Sequence, residues 1–396
     1  DTLAEATESE GALADALERL AREEGDDAVR HATLARAAVI IETKIGSPER
    51  AAGLWSEILR DDEGHLEALD ALERLLTQLE QWEPLVSVLK AKAEIAGRTD
   101  GAARRVLLLR AATLHEEMLD ATEEAVEVYK SLLSYDPGDR DVIDALERIF
   151  TQEGRWEELV ENYNRKLELA RDADARKEIL FTLGAIQEKE LENPDEAIRA
   201  YQAVAALDAT DLGAVQALDR LFVATENWFE LKTVLEAEAG LVGDPGQAVN
   251  IRFRIGKLLE TELGETEAAV AAYAAVLEAD SGHGQAREAL VGLVERDEWA
   301  LESARLLERV YRAGGEWLEV SWALRAIVRH TDDAKGRYDL LVELARVEEH
   351  ELGDAAAAFG SWKAALGELV SAETLAQLER LASGLGSWDE VASLFS

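Results

Sequence analysis

The sequence predicts an all-α protein, a right-handed α-solenoid of stacked antiparallel helix hairpins. Three columns of residues that recur together along the 396-residue chain support this prediction. In the first column, five tryptophans follow a polar loop and stand at a helix start, at spacings of 74, 72, 89 and 71 residues: Trp82, Trp156, Trp228, Trp317 and Trp388. A period this long is typical of a helical repeat array.

The other two columns keep the same register. One is a small residue four positions before an aromatic: Ala51/Trp55, Ala125/Tyr129, Ala197/Tyr201, Ala269/Tyr273 and Ala358/Trp362. The other is a small residue thirteen positions before each of those alanines: Ala38, Ala112, Gly184, Gly256 and Ala345. The repeat unit is therefore about 72–74 residues, or two hairpins.

Each period contains four stretches with apolar residues at three-to-four spacing, the pattern of one-faced helices. In the second period the pattern predicts helices over 104–119, 122–134, 139–151 and 156–170. Prolines fall at the boundaries, because proline lacks an N–H and fixes φ. Ser47-Pro48 and Asn193-Pro194 have the arrangement that starts a helix. Asp136-Pro137-Gly138 and Asp244-Pro245-Gly246 are predicted turns.

We expect one continuous solenoid over residues 1–396. It comprises an atypical N-terminal helix and five repeat units, the last truncated: 1–27, then 28–103, 104–175, 176–247, 248–336 and 337–396. The 89-residue spacing predicts one extra helix near 284–297, either neutral drift or a bend and docking point near Trp299. The chain begins with Asp1, and its last helix stops at Ser396, short of its siblings. We therefore expect a fragment of a longer protein.

These residues resemble the tetratricopeptide repeat (TPR) from about residue 28 to the end. The signature is a small residue on the first helix, Ala-x-x-x-aromatic on the second, and a helix end at Asp-Pro. The best copies are Leu183-Gly184…Ala197…Tyr201…Asp208 and Ala112…Ala125…Tyr129…Asp136-Pro137. The resemblance is divergent, because Gln187, His115 and Leu259 stand where an aromatic is expected, and the second hairpin of each period lacks the signature. It implies a solenoid whose first helices face a concave groove.

Composition excludes several functions. The chain has 82 acidic and 42 basic residues, a net charge of −40 and no cysteine. Such a surface would repel nucleic acid, and the sequence has no apolar run long enough for membrane insertion. The six histidines show no metal-ligand spacing, so we predict no catalytic residue, metal or cofactor. The first ten residues carry no targeting signal, which leaves the cytoplasm as the default compartment. Arginine predominates over lysine, as is typical of GC-rich bacterial genomes.

Two charged columns recur with the repeat. The first places one glutamate near the end of the first helix of each period: Glu42, Glu116, Glu188, Glu260 and Glu349. These carboxylates either receive a basic partner in the groove or pair with basic side chains of the adjacent hairpin. The second column is an acid followed by arginine: Glu73-Arg74, Glu147-Arg148, Asp219-Arg220, Glu308-Arg309 and Glu379-Arg380. Neighbours in a helix point apart, so we expect each charge to have its own partner.

The aromatic residues fall into two groups, one predicted to pack between helices and one that could bind a partner. The five recurring tryptophans, with Tyr129, Tyr201 and Tyr273, are predicted to pack between helices. Trp299, Trp322 and Trp362 lie in the C-terminal third and are candidates for a partner-binding surface.

We therefore expect a noncatalytic scaffold that binds a protein partner, preferably a basic one, on an acidic surface. Two alternatives stay open. The chain could self-associate into a larger assembly, or it could be the regulatory arm of an enzyme whose catalytic domain lies outside this sequence.

Overall fold

The structure is a computed structural model that describes residues 2–393, with side chains from residue 9 onward. The described residues form α-helices joined by short loops, without a strand, which confirms the predicted α-solenoid of helix hairpins. The chain divides into two compact units, Asp1–Ile179 and Leu180–Ser396, and the boundary falls inside the helix Ala173–Lys189.

The first unit contains the helices of the first two periods. They are α1 (Thr2–Glu23), α2 (Asp27–Ile40, continued by a π-helical turn Ile41–Ile45), α3 (Pro48–Asp61), α4 (Leu66–Gln78), α5 (Trp82–Ala96), α6 (Gly101–Glu117), α7 (Thr122–Tyr135), α8 (Arg140–Glu153), α9 (Trp156–Leu169) and the start of α10 (Ala173–Lys189). Helices α6–α9 are the four predicted for the second period, each within three residues of its expected bounds.

The second unit continues the alternation. Its helices after α10 are α11 (Pro194–Leu207), α12 (Leu212–Ala224), α13 (Trp228–Leu241), α14 (Pro245–Thr261), α15 (Thr266–Ala279), α16 (Gly284–Glu295), α17 (Ala300–Gly314), α18 (Trp317–Arg329), α19 (Ala334–His350), α20 (Ala355–Glu368), α21 (Ala372–Leu385) and α22 (Trp388–Ser393). The extra helix is confirmed, because α16 and α17 stand where the second period has only α8. The predicted end of the last helix at Ser396 lies outside the described residues.

Within each unit the main contacts join helices that are neighbours in sequence, and α15 also contacts α17. The recurring tryptophans are the first residues of α5, α9, α13, α18 and α22. Asp244-Pro245-Gly246 differs from the prediction. It starts α14 directly, with the Asp244 carboxylate accepting the Gly246 N–H, because proline fits the first helical position without losing a hydrogen bond.

The two columns of small and aromatic residues meet inside each hairpin. The alanines Ala51, Ala125, Ala197, Ala269 and Ala358 and the aromatics that follow them are buried. In two hairpins the small residue on the preceding helix is a glycine that lies against that aromatic ring. A Cβ added at Gly184 would be 2.9 Å from the Tyr201 ring, and one at Gly256 would be 2.6 Å from the Tyr273 ring. The helices approach this closely because the small residues leave room for the rings.

We expect Gly256→Ala to lower the free energy of unfolding by about 1–3 kcal/mol, because the methyl group would overlap the buried Tyr273 ring. Gly292→Ala in α16 is the matched control, since a Cβ there meets nothing within 4 Å. The control should gain about 0.5–1 kcal/mol from better helix propensity. Urea denaturation of both variants checks this, and equal effects of the two substitutions would contradict the packing described.

Candidate partner-binding surface

The five recurring glutamates are each bound by an arginine from the next hairpin. We call this set the glutamate clasp, and its pairs are Glu42–Arg74, Glu116–Arg148, Glu188–Arg220, Glu260–Arg296 and Glu349–Arg380. The glutamate side chains are 6–18% exposed, while the arginines are 48–60% exposed. Each carboxylate is therefore nearly covered, and its guanidinium partner lies over it at the surface.

Four of the five arginines belong to the predicted column of acid–arginine pairs. The exception follows the extra helix, where Arg296 at the end of α16, and not Arg309, binds Glu260 with an N–O distance of 2.5 Å. Helix α16 follows α15 directly, as α8 follows α7, so the arginine at its C-terminal end reaches the glutamate. The acids beside these arginines point elsewhere. Glu147, for example, accepts from Lys166, as expected for neighbours on a helix.

Three tyrosines of the aromatic column donate their hydroxyl groups to the same glutamates. The O–O distances are 3.5 Å for Tyr129–Glu116, 3.0 Å for Tyr201–Glu188 and 2.7 Å for Tyr273–Glu260. The residues of each pair are always thirteen apart in sequence. The sequence shows this constant spacing, but spacing alone does not reveal that the two columns are hydrogen-bonded. In the first and last periods Trp55 and Trp362 replace the tyrosine, and neither indole N–H has a hydrogen-bond partner among the described residues.

Burial and hydrogen bonding shift the pKa values in this arrangement. Burial raises the pKa of the Tyr273 hydroxyl, and the nearby Glu260 carboxylate raises it further. Burial alone would also raise the pKa of Glu260, but the Tyr273 hydroxyl and the Arg296 guanidinium outweigh it and lower the pKa. The clasp therefore favours a neutral tyrosine and an ionised glutamate. Because arginine already occupies the carboxylates, a direct role for these glutamates in partner binding stays a prediction.

Trp299 lies at a different kind of site. It precedes α17 in the left-handed backbone region (φ 46°), and its side chain is 40% exposed. It lines an open concavity of about 630 Å³ together with the α14–α15 loop and the first turns of α15: Gly264, Glu265, Thr266, Glu267, Ala268 and Ala271. The concavity thus combines an aromatic wall with two carboxylates.

The other candidate tryptophans are less accessible. Trp322 is half-buried and packs against the core of the second unit. Trp362 was a surface candidate but is buried in that core, because it holds the aromatic position of its hairpin. Trp82, Trp156, Trp228 and Trp317 are half-buried at their helix starts, and Trp388 is exposed. Tyr129, Tyr201 and Tyr273 are buried.

The side chains of residues 9–393 include no group of three or more His, Asp or Glu arranged to hold a metal ion. Over residues 2–393 no helix combines the length and the apolar character required to cross a bilayer.

We expect Glu260→Gln to lower the free energy of unfolding by about 1.5–3 kcal/mol at pH 7, because it weakens two charge-assisted hydrogen bonds. The pKa of Glu260 is lowered by folding, so its contribution is present above the unfolded pKa of about 4.3. It is lost as the pH falls through the folded pKa. The difference from wild type should therefore shrink below about pH 4.

The exposed neighbour Glu262 provides the control. Glu262→Gln should change the free energy of unfolding by less than about 0.5 kcal/mol, both at pH 7 and below about pH 4. Thermal denaturation as a function of pH measures all three proteins. A Glu260→Gln deficit that does not depend on pH would exclude the proposed ionic contribution.

Comparison with known proteins assigns the repeat. Residues 142–177 match the family model described as tetratricopeptide repeat. They include most of α8 and all of α9, which form the second hairpin of a period. The family model therefore matches a hairpin that lacks the small-residue and aromatic signature of the first hairpin. No curated protein matches the sequence.

Several solved structures match the chain at low identity and low TM-score. A chain of the Naa15/Naa10 complex bound to HypK-THB is 12% identical with a TM-score of 0.36, over 92% of this chain and 62% of that one. The human IFIT1 dimer with PPP-AAAA is 14% identical with a TM-score of 0.30, over 81% and 78%. The C-terminal part of a TPR repeat-containing protein from Cytophaga hutchinsonii is 15% identical with a TM-score of 0.28, over 68% and 99%.

The protein thus spans less than two thirds of the Naa15/Naa10 complex chain that it matches. Similarity at these scores carries no argument about partners or activity. The repeated hairpins and the matched residues support a protein-interaction scaffold in general terms. The protein is a tetratricopeptide-like helical repeat protein.

Proposed function

We propose that this protein is a noncatalytic scaffold that binds a basic segment of a partner protein. The observation that carries the proposal is the Trp299 concavity, where an exposed indole stands beside Glu265 and Glu267. A lysine or arginine side chain can stack on the indole face while its charge lies near the carboxylates. The partner is therefore defined by its chemistry, a segment with accessible cationic side chains.

The charge distribution supports this choice of partner. The chain carries 82 acidic and 42 basic residues, and the clasp already commits five arginines to internal carboxylates. At the concavity, Glu265 lies 3.6 Å from Lys232, and Glu267 is exposed without an ion pair to any described residue. A negative field of this size speeds the encounter with a basic partner and makes the interaction sensitive to salt.

The glutamate clasp has a separate role in the proposal. Its carboxylates are nearly covered by arginine and tyrosine, so we assign them to joining successive hairpins and not to the partner. The combined variant Glu116→Gln, Glu188→Gln and Glu260→Gln distinguishes the two roles. It should lower the melting temperature and leave binding of a basic peptide, measured below that temperature, within about twofold. Weaker binding with an unchanged melting temperature would assign the glutamates to the partner-binding groove instead.

We expect Trp299→Ala to weaken binding of a fluorescein-labelled peptide of alternating arginine and glycine by about 2- to 30-fold. This range corresponds to about 0.5–2 kcal/mol for one cation–π contact. Fluorescence anisotropy at a series of NaCl concentrations measures the affinity, which should fall as salt rises. The exposed Trp388 provides the control, because Trp388→Ala removes an indole from elsewhere and should leave the affinity unchanged.

Two results would contradict the proposal. Salt-independent binding would show that the acidic field does not contribute, and equal losses in both tryptophan variants would remove Trp299 as the anchor. Light scattering on the same samples tests the self-assembly alternative, because that alternative requires a mass that rises with protein concentration.

A further inference from the structure

An arginine near the start of the first helix recurs in four hairpins. Arg30 in α2, Arg104 in α6, Arg176 in α10 and Arg337 in α19 each stand eight residues before the small residue of the hairpin. Arg176 donates to the backbone carbonyls of Leu167 and Ala170. In the other three hairpins the arginine faces the last residue of the following helix, which is Asp61 in α3, Tyr135 in α7 and Glu368 in α20.

Two of these arginines are neutralised by that last residue. Arg30 Nη2 donates to the Asp61 carboxylate at 2.6 Å. Arg337 binds the Glu368 carboxylate with two hydrogen bonds, Nε to Oε1 at 2.9 Å and Nη2 to Oε2 at 2.7 Å. A carboxylate at the end of the second helix is therefore the partner of this arginine in two of the four hairpins.

Arg104 has an aromatic ring where Arg30 and Arg337 have a carboxylate. Its guanidinium carbon lies 3.5 Å from the centre of the Tyr135 ring. Its ion-pair partner among the described residues is Glu94, through Nη2 at 3.4 Å, and the Glu94 side chain is itself 71% exposed. The Arg104 Nε–H is buried and has no hydrogen-bond partner among the described residues.

Arg104 is also the most buried of the three. Its side chain is 11% exposed, compared with 23% for Arg30 and 29% for Arg337. The Arg104 stem packs on the backbone at Gly97, where an added Cβ would be 2.8 Å from Arg104 Cδ. A buried cation costs free energy unless an anion and hydrogen bonds compensate it. Of these three hairpins, the one with the deepest arginine thus has the weakest compensation.

A cavity of about 420 Å³ opens beside this guanidinium, within the size range of small-ligand sites. Leu132 and the Tyr135 ring provide apolar lining. Arg105 and Asp139 also line it, but they neutralise each other through two hydrogen bonds of 2.5 and 2.8 Å. The remaining acid, Asp136, accepts the Gly138 N–H at 2.9 Å. Arg104 is therefore the lining cation with donors left for a ligand.

We propose that this cavity binds a carboxylate at Arg104, in the place that Asp61 and Glu368 take in two other hairpins. The carboxylate oxygens accept from the Arg104 guanidinium, and Tyr135 and Leu132 contact the apolar part of the ligand. Carboxylate–guanidinium pairs of this kind form short, charge-assisted hydrogen bonds. The ligand comes either from a small organic acid or from a glutamate side chain of a partner protein. The site is separate from the Trp299 concavity and does not depend on the function proposed there.

The Arg104 Nε–H provides a direct probe of this site by NMR. We expect its ¹H–¹⁵N signal, assigned by its loss in Arg104→Lys, to shift in a saturable way with sodium propionate or phenylacetate. Sodium chloride at the same ionic strength should not reproduce the shift. The corresponding signal of Arg337 is the internal control and should not move, because Glu368 already occupies it. A blocked peptide with one glutamate forms the second arm, and saturation by the peptide alone would identify a protein partner as the source.

Three variants complete the test. Tyr135→Glu supplies the missing carboxylate within the chain, so it should abolish the shift and raise the melting temperature. Tyr135→Phe keeps the aromatic ring and should keep the binding. Glu94 is exposed and competes with the ligand for Arg104, so Glu94→Gln should tighten binding by about two- to fivefold. This variant tests the proposal even if Tyr135→Glu fails to fold. Equal shifts with chloride, no saturation in either arm, or unchanged affinity in Glu94→Gln would overturn the proposal.

Discussion

The contact between a small residue on one helix and an aromatic ring on the next sets the geometry of each hairpin. At Gly256 the backbone approaches the Tyr273 ring so closely that there is no room for a methyl group. This approach fixes where the tyrosine hydroxyl lies, and the hydroxyl then meets Glu260 one turn further along α14. The Glu260 carboxylate accepts a hydrogen bond from the Tyr273 hydroxyl and also binds Arg296 of the next hairpin. Packing within one hairpin therefore positions the glutamate that forms the ion pair with the next hairpin.

The inserted helix shows that this link depends on spatial adjacency and not on sequence register. In this period of five helices, Arg296 at the end of α16 replaces the arginine of the repeating column. Glu308, which precedes the unused Arg309, instead accepts from Arg312 within its own helix at 2.5 Å. The chain keeps the clasp although the insertion moves the original partner one helix away. Each helix interacts mainly with its neighbours, as expected for a repeat protein.

Much of this architecture could be predicted from the sequence, because the repeat shows the same solution several times. The helices, the extra helix and the buried column of Tyr129, Tyr201 and Tyr273 follow from apolar spacing and recurrence. The pairing between columns was harder to predict, because sequence spacing alone does not show which faces meet. The cavity at Arg104 was out of reach for the same reason. It depends on Tyr135 standing 31 residues after Arg104, where Asp61 and Glu368 follow their arginines in two other hairpins, and sequence spacing alone does not show that these residues meet.

The local pairing of the arginines also leaves the excess of acidic residues to determine the charge of the surface. Five arginines cover the glutamates of the clasp, and others such as Arg337 close the ends of hairpins. These cations act locally, at distances of 2.5–3.3 Å in pairs such as Glu260–Arg296 and Glu188–Arg220, and so they offset their own partners. The unpaired surplus of acids then sets the field that a ligand meets at long range, which favours cations. Arg104 departs from this rule because its hairpin provides a ring in place of an acid. Arg104 is more buried than Arg30 and Arg337, yet its charge has the weaker carboxylate partner. It therefore favours an anion at short range, although the net charge of the protein repels anions at long range.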